Sequence, residues 1–146
     1  MKHINRWLII VLTVVGLQLS ACAPKATKAE FIPPSSLEVI EGSDIQRVIL
    51  TEKAAERLDI QTSTVRDERV NGVVRKVVPY AAVIYDLQGA TWLYTNPAPF
   101  TFVRESITVD FIEGDRAVLT KGPSSGIEIV IVGVAELYGT ETGVAK

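Results

Sequence analysis

The pattern of hydrophobic and polar positions centres on two apolar runs separated by a polar turn. The runs are Val77–Tyr85 and Thr91–Thr95, and a polar segment that ends in Gly89 lies between them. β-Branched and aromatic residues favour strands, and a short polar loop with a glycine favours a reversal between two strands. This stretch therefore predicts a β-hairpin with a loop of four or five residues, in which Gly89 adopts the left-handed conformation.

Before the hairpin, the pattern predicts short strands and one short helix. Ile45–Leu50 and Ile60–Val65 are apolar runs of strand length, and Thr51 is a suitable N-cap for a helix over Glu52–Leu58. Charged residues, asparagine and glycine over 67–72 predict a turn. A β-branched strand over Val73–Val78 then leads into the hairpin.

After the hairpin, the pattern predicts a loop, further strands and one helical turn. Residues 96–99 include two prolines and are expected to lie outside any ladder. Four strands are predicted next: Phe100–Arg104, 107–111, Arg116–Lys121 and 127–132. The last is apolar on nearly both faces and is expected to be central. Val134–Leu137 is expected to form a single helical turn, and the polar residues after Tyr138 a frayed tail.

Strands that recur about every ten residues, with glycine turns between them, predict a mainly β fold. We expect a small antiparallel β-barrel or β-roll with one short helix, preceded by a signal peptide and a disordered tether. The boundaries are 1–21 for the signal, 22–44 for the tether, 45–140 for the β-domain and 141–146 for the tail. Proline, serine and lysine dominate residues 23–43, as in a flexible or extended linker.

The N-terminus has the plan of a secretory signal. Lys2 and Arg6 precede Trp7–Leu19, an apolar run of 13 residues that is short for a membrane-spanning helix. The run ends in Leu-Ser-Ala-Cys, which resembles the lipobox of bacterial lipoproteins. That resemblance implies cleavage between Ala21 and Cys22, diacylglycerol on the Cys22 thiol, and a domain on the extracytoplasmic side of a bacterial membrane.

Rare residues exclude several kinds of chemistry. His3, Met1 and Cys22 are the only residues of their types, so the chain after the signal has no histidine and no methionine. A histidine-based catalytic triad, a Cys/His zinc site and an intramolecular disulfide are therefore impossible in the mature chain. The precursor has a net charge of −2; removal of Lys2 and Arg6 leaves 13 basic and 17 acidic residues, or −4. This balance disfavours binding to nucleic acid.

Three groups of residues were considered as sites, and none predicts catalysis. The acidic residues Glu105, Asp110, Glu113 and Asp115 suit a turn as well as a metal site. The loop 122–126 lacks the lysine of a phosphate-binding loop, and its serines lack a base. The aromatic residues of alternate strand positions, Trp92, Tyr94, Phe100 and Phe102, are expected in the core rather than around a ligand. We therefore predict a protein that is not an enzyme and holds no metal or cofactor except the lipid.

Three segments resemble the C-terminal part of periplasmic adaptor subunits (membrane fusion proteins) of resistance-nodulation-division efflux pumps. Ile49–Val65 is similar to the strand, short helix and "LGI" turn that enter the adaptor β-barrel, with Asp59 in place of the glycine. Val78–Tyr94 is similar to the "VP-x-x-A-V" strand and its hairpin. Phe100–Leu137 is similar to the last adaptor strands and their glycine pattern, from which Pro123 and Ile129 depart. The resemblance spans residues 49–137.

This resemblance implies a barrel-like part over 45–76 and a membrane-proximal-like part over 77–140. The lipoyl domain and the α-helical hairpin of adaptors have no counterpart in the sequence. The resemblance implies an accessory protein that docks on a transporter or another envelope complex. Asn96, Pro97, Arg104 and Glu105 are the predicted partner contacts, with Arg104 and Glu105 as a surface pair. The alternative is a lipoprotein that binds a small ligand or the cell wall, which a deep pocket lined by Trp92 and Tyr94 would favour.

Overall fold

The computed structural model describes residues 31–143, and its elements lie in the compact unit Pro33–Lys146. The elements are β1 (Ser35–Val39), β2 (Gln46–Leu50), α1 (Glu52–Arg57), β3 (Gln61–Thr64), β4 (Arg66–Val70), β5 (Val73–Pro79), a 3₁₀ turn (Tyr80–Ala82), β6 (Ile84–Tyr85), β7 (Thr91–Ala98), β8 (Thr101–Glu113), β9 (Arg116–Lys121), β10 (Glu128–Val132) and α2 (Val134–Thr142). The predicted mainly β fold is confirmed.

The strands form one curled antiparallel sheet. Its main path runs β3-β10-β7-β8-β9-β5-β4; off this path, β2 pairs with β8, β1 pairs with β2, and β6 pairs with β7. The two ends of the path, β3 and β4, are consecutive in the chain and separated by Val65 alone. The Val65 N–H donates to the Ile127 carbonyl at 3.0 Å, and its carbonyl accepts from the Gly126 N–H at 2.9 Å. The sheet must therefore curl to bring its ends together, as the predicted barrel-like fold requires.

The middle of the sheet packs a separate core on each face. Tyr94, Phe102 and Val130 join residues of α1, α2 and β2 in one cluster. Their sequence neighbours Leu93 and Ile129 face the other way, into a cluster with residues of β5, β8 and β9. Because successive side chains of a strand alternate between faces, β10 must be apolar on both. β10 was predicted to be central; it is paired on both sides, by β3 and β7, but lies next to the end of the path.

The predicted hairpin is present with the expected loop. Ile84 pairs with Trp92 and Tyr85 with Thr91, and Gly89 in the five-residue loop between them has φ 81°. The first run, however, is not one strand. It breaks at the 3₁₀ turn after Pro79, so β5 joins β9 and β6 joins β7. One apolar run thus supplies two different parts of the curled sheet.

The predicted short helix is also present. The Thr51 hydroxyl accepts a hydrogen bond from the Ala54 N–H at 3.2 Å, which satisfies one free donor of the first turn. Asp59 follows the helix with φ 49°, the left-handed conformation that glycine adopts most easily. Asp59, with its short polar side chain, therefore occupies a position at which glycine is usually found.

Residues 96–99 are not the predicted loop. β7 continues to Ala98, and the ladder with β8 shifts register between Thr95 and Ala98. Pro97 lies in this shift, where its missing N–H removes no ladder hydrogen bond. The reversal comes later, at Phe100, which has φ 56°. Phe100 therefore belongs to the turn and not to the predicted strand, and β8 is one strand of 13 residues.

The charged segment over 67–72 is likewise mostly strand. Arg66–Val70 pairs with β5, and the turn is confined to Asn71 and Gly72. Because β4 is the last strand of the path, its charged side chains reach water and neighbouring ions, including Glu68 on Arg116 at 2.8 Å. Charged residues protect an exposed sheet edge from further pairing, so this composition suits an edge strand.

The ordered domain extends further at both ends than the sequence predicts. Ser35–Val39 of the predicted tether pairs with β2, and Pro34 accepts a hydrogen bond from the Thr51 N–H at 2.9 Å. At the other end, α2 has nine residues instead of one turn, and Glu141 of the predicted tail is buried. Both segments are held in place by other parts of the chain. Residues 35–39 pair with β2, and α2 packs on the face of β7 and β8.

Candidate functional site

Arg104 is largely buried against one face of the sheet, between aromatic rings and a carboxylate. Tyr94 pairs with Arg104 across β7 and β8, and Trp92 pairs with Ser106 two positions along. Cross-strand partners point to the same face, so Trp92, Tyr94 and Arg104 lie side by side. The same face is covered by α2, which brings Tyr138 and Glu141 onto it. We call Trp92, Tyr94, Arg104, Tyr138 and Glu141 the arginine clamp.

Two aromatic rings and a carboxylate surround the Arg104 guanidinium. Its central carbon lies 4.5 Å from the Trp92 ring centroid and 5.5 Å from that of Tyr138. Nε lies 3.1 Å from Glu141 Oε2, although the geometry is that of an ion pair without a hydrogen bond. A guanidinium against an aromatic face is stabilised by about 0.5–2 kcal/mol, and more as water is excluded. The Arg104 side chain is only 14% exposed, which places it near the upper end of that range.

Glu141 is the buried acid of the clamp. Its side chain is 3% exposed, and its Oε2 accepts a short hydrogen bond from the Tyr94 hydroxyl. Oε1 accepts a longer one from the Gln46 N–H, at 3.4 Å. Glu141 also lies in the last turn of α2, where the partial negative charge of the helix end disfavours an acid. The charge of Arg104 and the two donors must therefore compensate both burial and position.

The hairpin loop is tied to the clamp through Trp92. The Trp92 indole N–H donates to Asp86 Oδ2 at 2.9 Å, while Oδ1 accepts from the backbone N–H groups of Gln88 and Ala90. The hydrogen bond from Trp92, and after it those from the backbone, hold the pKa of Asp86 below its ordinary value. Asp86 is thus ionised at neutral pH, and one chain of contacts links the loop, β8 and α2.

Tyr94 is expected to weaken the fold at alkaline pH. Burial, followed by the bond to Glu141, raises the pKa of the Tyr94 hydroxyl above its ordinary value of 10.0. Above that pH the unfolded chain releases the proton while the folded chain keeps it, so the free energy of unfolding falls by up to about 1.4 kcal/mol per pH unit. Below pH 10.0 both the folded and the unfolded chain keep the Tyr94 proton, so this group leaves the free energy of unfolding unchanged. Urea titrations of the wild type and Tyr94→Phe from about pH 9 to 11 measure this. The stability difference between them should shrink as the pH rises, and parallel curves would contradict the assignment.

The clamp has the chemistry of a structural connection. Its ionisable groups are paired with one another, and within residues 31–143 no group of three or more His, Cys, Asp and Glu side chains is placed to hold a metal. Tyr94 and Phe102 are fully buried and fill the space where the ligand-binding alternative needs a pocket. The predicted core position of Tyr94 and Phe102 is thus confirmed, whereas Phe100 is exposed in its turn and Trp92 is half-buried.

The predicted partner contacts do not form one surface. Asn96 donates through its side-chain amide to the carbonyls of Ala98 and Thr101, at 2.7 and 2.9 Å, and Pro97 beside it is exposed. The predicted surface pair of Arg104 and Glu105 is wrong, because Arg104 is held in the clamp. Glu105 lies on the opposite face of β8, half-buried, where desolvation raises the pKa of its carboxyl. Ala21 and Cys22, the predicted cleavage and lipid-attachment residues, lie outside the described range.

A polar cleft of about 180 Å³ lies beside β4 and β5. Arg66, Glu68, Asp115 and Arg116 line it. The Arg116 guanidinium pairs with Glu68 at 2.8 Å and with Glu113 at 2.6 Å, so its charge is balanced within the protein. The predicted tight turn between β8 and β9 is present at Gly114 and Asp115, and Glu113 is the last residue of β8. Glu113 of the acidic cluster therefore has a structural role at the sheet edge, where it shares Arg116 with Glu68 of β4.

Sequence reasoning missed Glu141, and one signal pointed to it. Val134, Leu137, Tyr138 and Glu141 occupy positions i, i+3, i+4 and i+7, the spacing of one helix face. Extending the predicted single turn along this spacing places Glu141 on the buried face. The polarity of residues 139–142 argued against a helix, but the Thr140 and Thr142 hydroxyls donate to carbonyls four residues earlier, inside α2.

Comparisons with protein-family models, curated proteins and solved structures found no match to the chain. The likeness to efflux adaptors therefore rests on the motifs of the sequence. Among residues 31–143, no helix has both the length and the apolar character needed to cross a membrane.

Proposed function

We propose that this protein is a lipid-anchored accessory protein of the bacterial cell envelope, related to efflux-pump adaptors. It is non-catalytic and docks on a membrane transporter. The observation that carries the proposal is the export signal ending in Leu-Ser-Ala-Cys22, followed in order by three adaptor-like segments. The anchor explains why the chain has one cysteine, and the adaptor-like part explains why its interior is a filled β-domain.

Local geometry is consistent with the adaptor-like reading of two motifs. Asp59 adopts the left-handed conformation that the glycine of the "LGI" turn would supply. Pro79 of the "VP-x-x-A-V" motif ends β5, and the 3₁₀ turn that follows sends the chain from β9 to the hairpin with β7. These features support a barrel-like connection between the two parts of the domain.

A lipid anchor makes a weak docking interface sufficient. Only the 12 residues between Cys22 and Ser35 separate the lipid site from the first strand. Fully extended, they span at most about 45 Å, so the domain stays close to the bilayer. A tether of this kind raises the effective concentration of a partner in the same membrane to about the millimolar range. An interface of modest area can then hold the complex together.

Replacing Cys22 with alanine tests the proposal. We expect the variant to leave the membrane fraction and to lose co-purification with a resistance-nodulation-division transporter, because both lipid attachment and local concentration are lost. Membrane fractionation and affinity purification with mass spectrometry measure the two effects. As a control, the same variant fused to a heterologous membrane-spanning helix should recover the transporter. Retention of the transporter by the unanchored variant would remove the tether from the mechanism.

A further inference from the structure

The strand β1 is an edge strand with one open side. It pairs with β2 alone, and within residues 31–143 no strand pairs with its other side. In β4, the edge strand at the end of the main path, four of the five residues are charged. β1 carries only Glu38, whose charge is neutralised by Arg47 of β2 at 2.9 Å. Charges protect a sheet edge from further pairing, and β1 lacks that protection.

Backbone hydrogen bonds show which residues of β1 face outwards. The Thr51 N–H donates to the Pro34 carbonyl at 2.9 Å, so the bonds between β1 and β2 fall at the even-numbered positions of β1. Leu50, the register partner of Ser35, agrees with this, because it gives its N–H to Phe100 on the other side of β2. The N–H and C=O groups of positions 35, 37 and 39 therefore point away from β2, towards the open side.

Two apolar side chains of this edge are exposed. Leu37 lies opposite Val48 and Val39 opposite Gln46, so both face the side of the sheet that holds Tyr94. Val48 is fully buried there, but Leu37 is 41% exposed and Val39 is 76% exposed. A further strand beside β1 would cover these side chains and use the free backbone groups at the same time.

We propose that two copies of the chain join through β1, as antiparallel edge strands related by a two-fold axis at Leu37. In this register Leu37 meets Leu37 of the second copy, and Ser35 meets Val39. All three residues face outwards, so each of their N–H groups meets a carbonyl across the axis. The two Leu37 side chains pack against each other, and Val39 is covered as well.

Charge and backbone chemistry select this register. With the axis at Leu37, Glu38 lies opposite Ser36 of the second copy, whose hydroxyl can donate to the carboxylate. An axis at Glu38 would place two carboxylates face to face, and like charges directly opposite are destabilising. An axis at Ser36 would set Val39 opposite Pro33, which has no N–H to donate. The strand is thus complementary to itself, and a second copy supplies the complement without any other chain.

A strand of five residues makes a small interface, which the lipid anchor renders sufficient. This step rests on the proposed function: two copies anchored at Cys22 in one membrane share an effective concentration of about millimolar. The lipid site is separated from β1 by 12 residues, which lets both anchors reach the same bilayer. We therefore expect the dimer in the membrane, and a mainly monomeric chain when the anchor is removed.

Cysteine cross-linking of the full chain in membranes measures the pairing directly. Lipidation blocks the thiol of Cys22, the only native cysteine, so an introduced cysteine has the only free thiol. Leu37→Cys places two thiols across the axis at a Cα–Cα distance of about 5.5 Å, within the range of a disulfide. Copper phenanthroline is the oxidant, and non-reducing electrophoresis measures the fraction of chains in a product of twice the monomer mass.

Further variants test the register. Ser36→Cys and Glu38→Cys, each alone, set two thiols about 7–8 Å apart on a diagonal, too far for efficient bridging. Membranes that contain both variants bring unlike chains to about 4.5 Å and should cross-link. Val73→Cys, at a strand residue of similar exposure (54%), measures random collision. We expect Leu37→Cys to give at least about fivefold more dimer than any of these three variants alone.

Two changes should remove the dimer without a cysteine at the axis or without the anchor. Adding Leu37→Lys to both chains of the mixed pair sets two ammonium groups on the axis and should abolish the cross-link, while Val73→Lys should not. Adding Cys22→Ala to Leu37→Cys should lower the dimer fraction at least about tenfold, because local concentration is lost. Near-ultraviolet circular dichroism checks that each variant is folded. An unchanged dimer fraction in Cys22→Ala would contradict the role of the anchor.

The other results overturn the inference or the proposed function separately. Equal cross-linking of Leu37→Cys and Val73→Cys would mean that chains only collide, and homodimers of Ser36→Cys or Glu38→Cys would mean a different register. A product of another mass would assign the edge to a different protein. A disulfide dimer of the wild type would show that Cys22 carries no lipid and would overturn the proposed anchor. If the Leu37→Cys dimer forms but no transporter co-purifies, the proposed docking fails while the pairing stands.

Discussion

Replacing Arg104 with methionine is expected to lower the free energy of unfolding by about 3–5 kcal/mol. Methionine keeps the apolar stem between Trp92 and Tyr138, so the loss comes mainly from the charge. Without the guanidinium, the carboxylate of Glu141 stays buried with only the Tyr94 hydroxyl and a 3.4 Å backbone donor. A buried charge without its partner loses hydration and receives no compensating attraction. Urea unfolding followed by circular dichroism measures the change.

An exposed pair of the same chain is the control. Arg47 lies 2.9 Å from Glu38, but the two side chains are 41% and 52% exposed. Arg47→Met should therefore cost less than about 1 kcal/mol, because water replaces the lost partner. The double variant Arg104→Met with Glu141→Gln should be less destabilised than the sum of its single changes, because neither then leaves a charge behind. Equal costs for Arg104→Met and Arg47→Met would show that the clamp does not hold the domain together.

Replacing Gly133 with alanine is expected to cost about 2–4 kcal/mol. Gly133 connects β10 to α2 with φ 85°, a conformation in which a side chain meets its own backbone. In addition, a Cβ built there would lie 2.1 Å from Ile60 Cδ1, so Ile60 would have to leave its place against the core that contains Tyr94. The change therefore combines backbone strain with repacking, and thermal or urea unfolding should detect it.

Gly126 separates these two contributions. It has φ 86°, nearly the same as Gly133, but no atom lies within 4 Å of a Cβ built on it. Gly126→Ala should therefore cost only the strain, about 1–2 kcal/mol. The difference between the two variants is the cost of displacing Ile60. If the two variants lose the same stability, Ile60 rotates away without loss and packing against Gly133 contributes nothing.

Local signals in the sequence were sufficient for the hairpin loop and the first helix. Gly89 and the Thr51 cap act over a few residues, so their conformations follow from neighbouring atoms alone. The strand β9 and the turn at Gly114 were also predictable, since alternation and turn chemistry agree there. By contrast, the sequence predicted loops at Pro97 and in the charged run of β4. The strand β7 accommodates Pro97 because the ladder shifts register there, and β4 accommodates its charges because it is the end strand. Local sequence encodes neither the register shift nor the edge position.

In the candidate site, too, the positions of single side chains depend on partners that are distant in the chain. Arg104 follows an apolar strand segment, and by itself a guanidinium at that point indicates a surface. It is buried because β7 supplies Trp92 opposite it and α2 supplies Glu141, 37 positions later in the chain. The open edge of β1 could not be foreseen for a similar reason, because residues 35–39 form a strand only by pairing with β2.

The sequence by itself determined the mainly β class and the conformation of individual turns, and it is the only basis for the predicted export signal and the composition-based exclusions. Those properties depend on residue types and on contacts within a few positions. Only the tertiary structure decided that Val77–Tyr85 divides between two pairings, that residues 35–39 and 134–142 belong to the domain, and that Arg104 is internal. The physical reason is that burial and pairing are set by partners distant in the chain, and a side chain such as Glu141 is stable inside only when those partners are present.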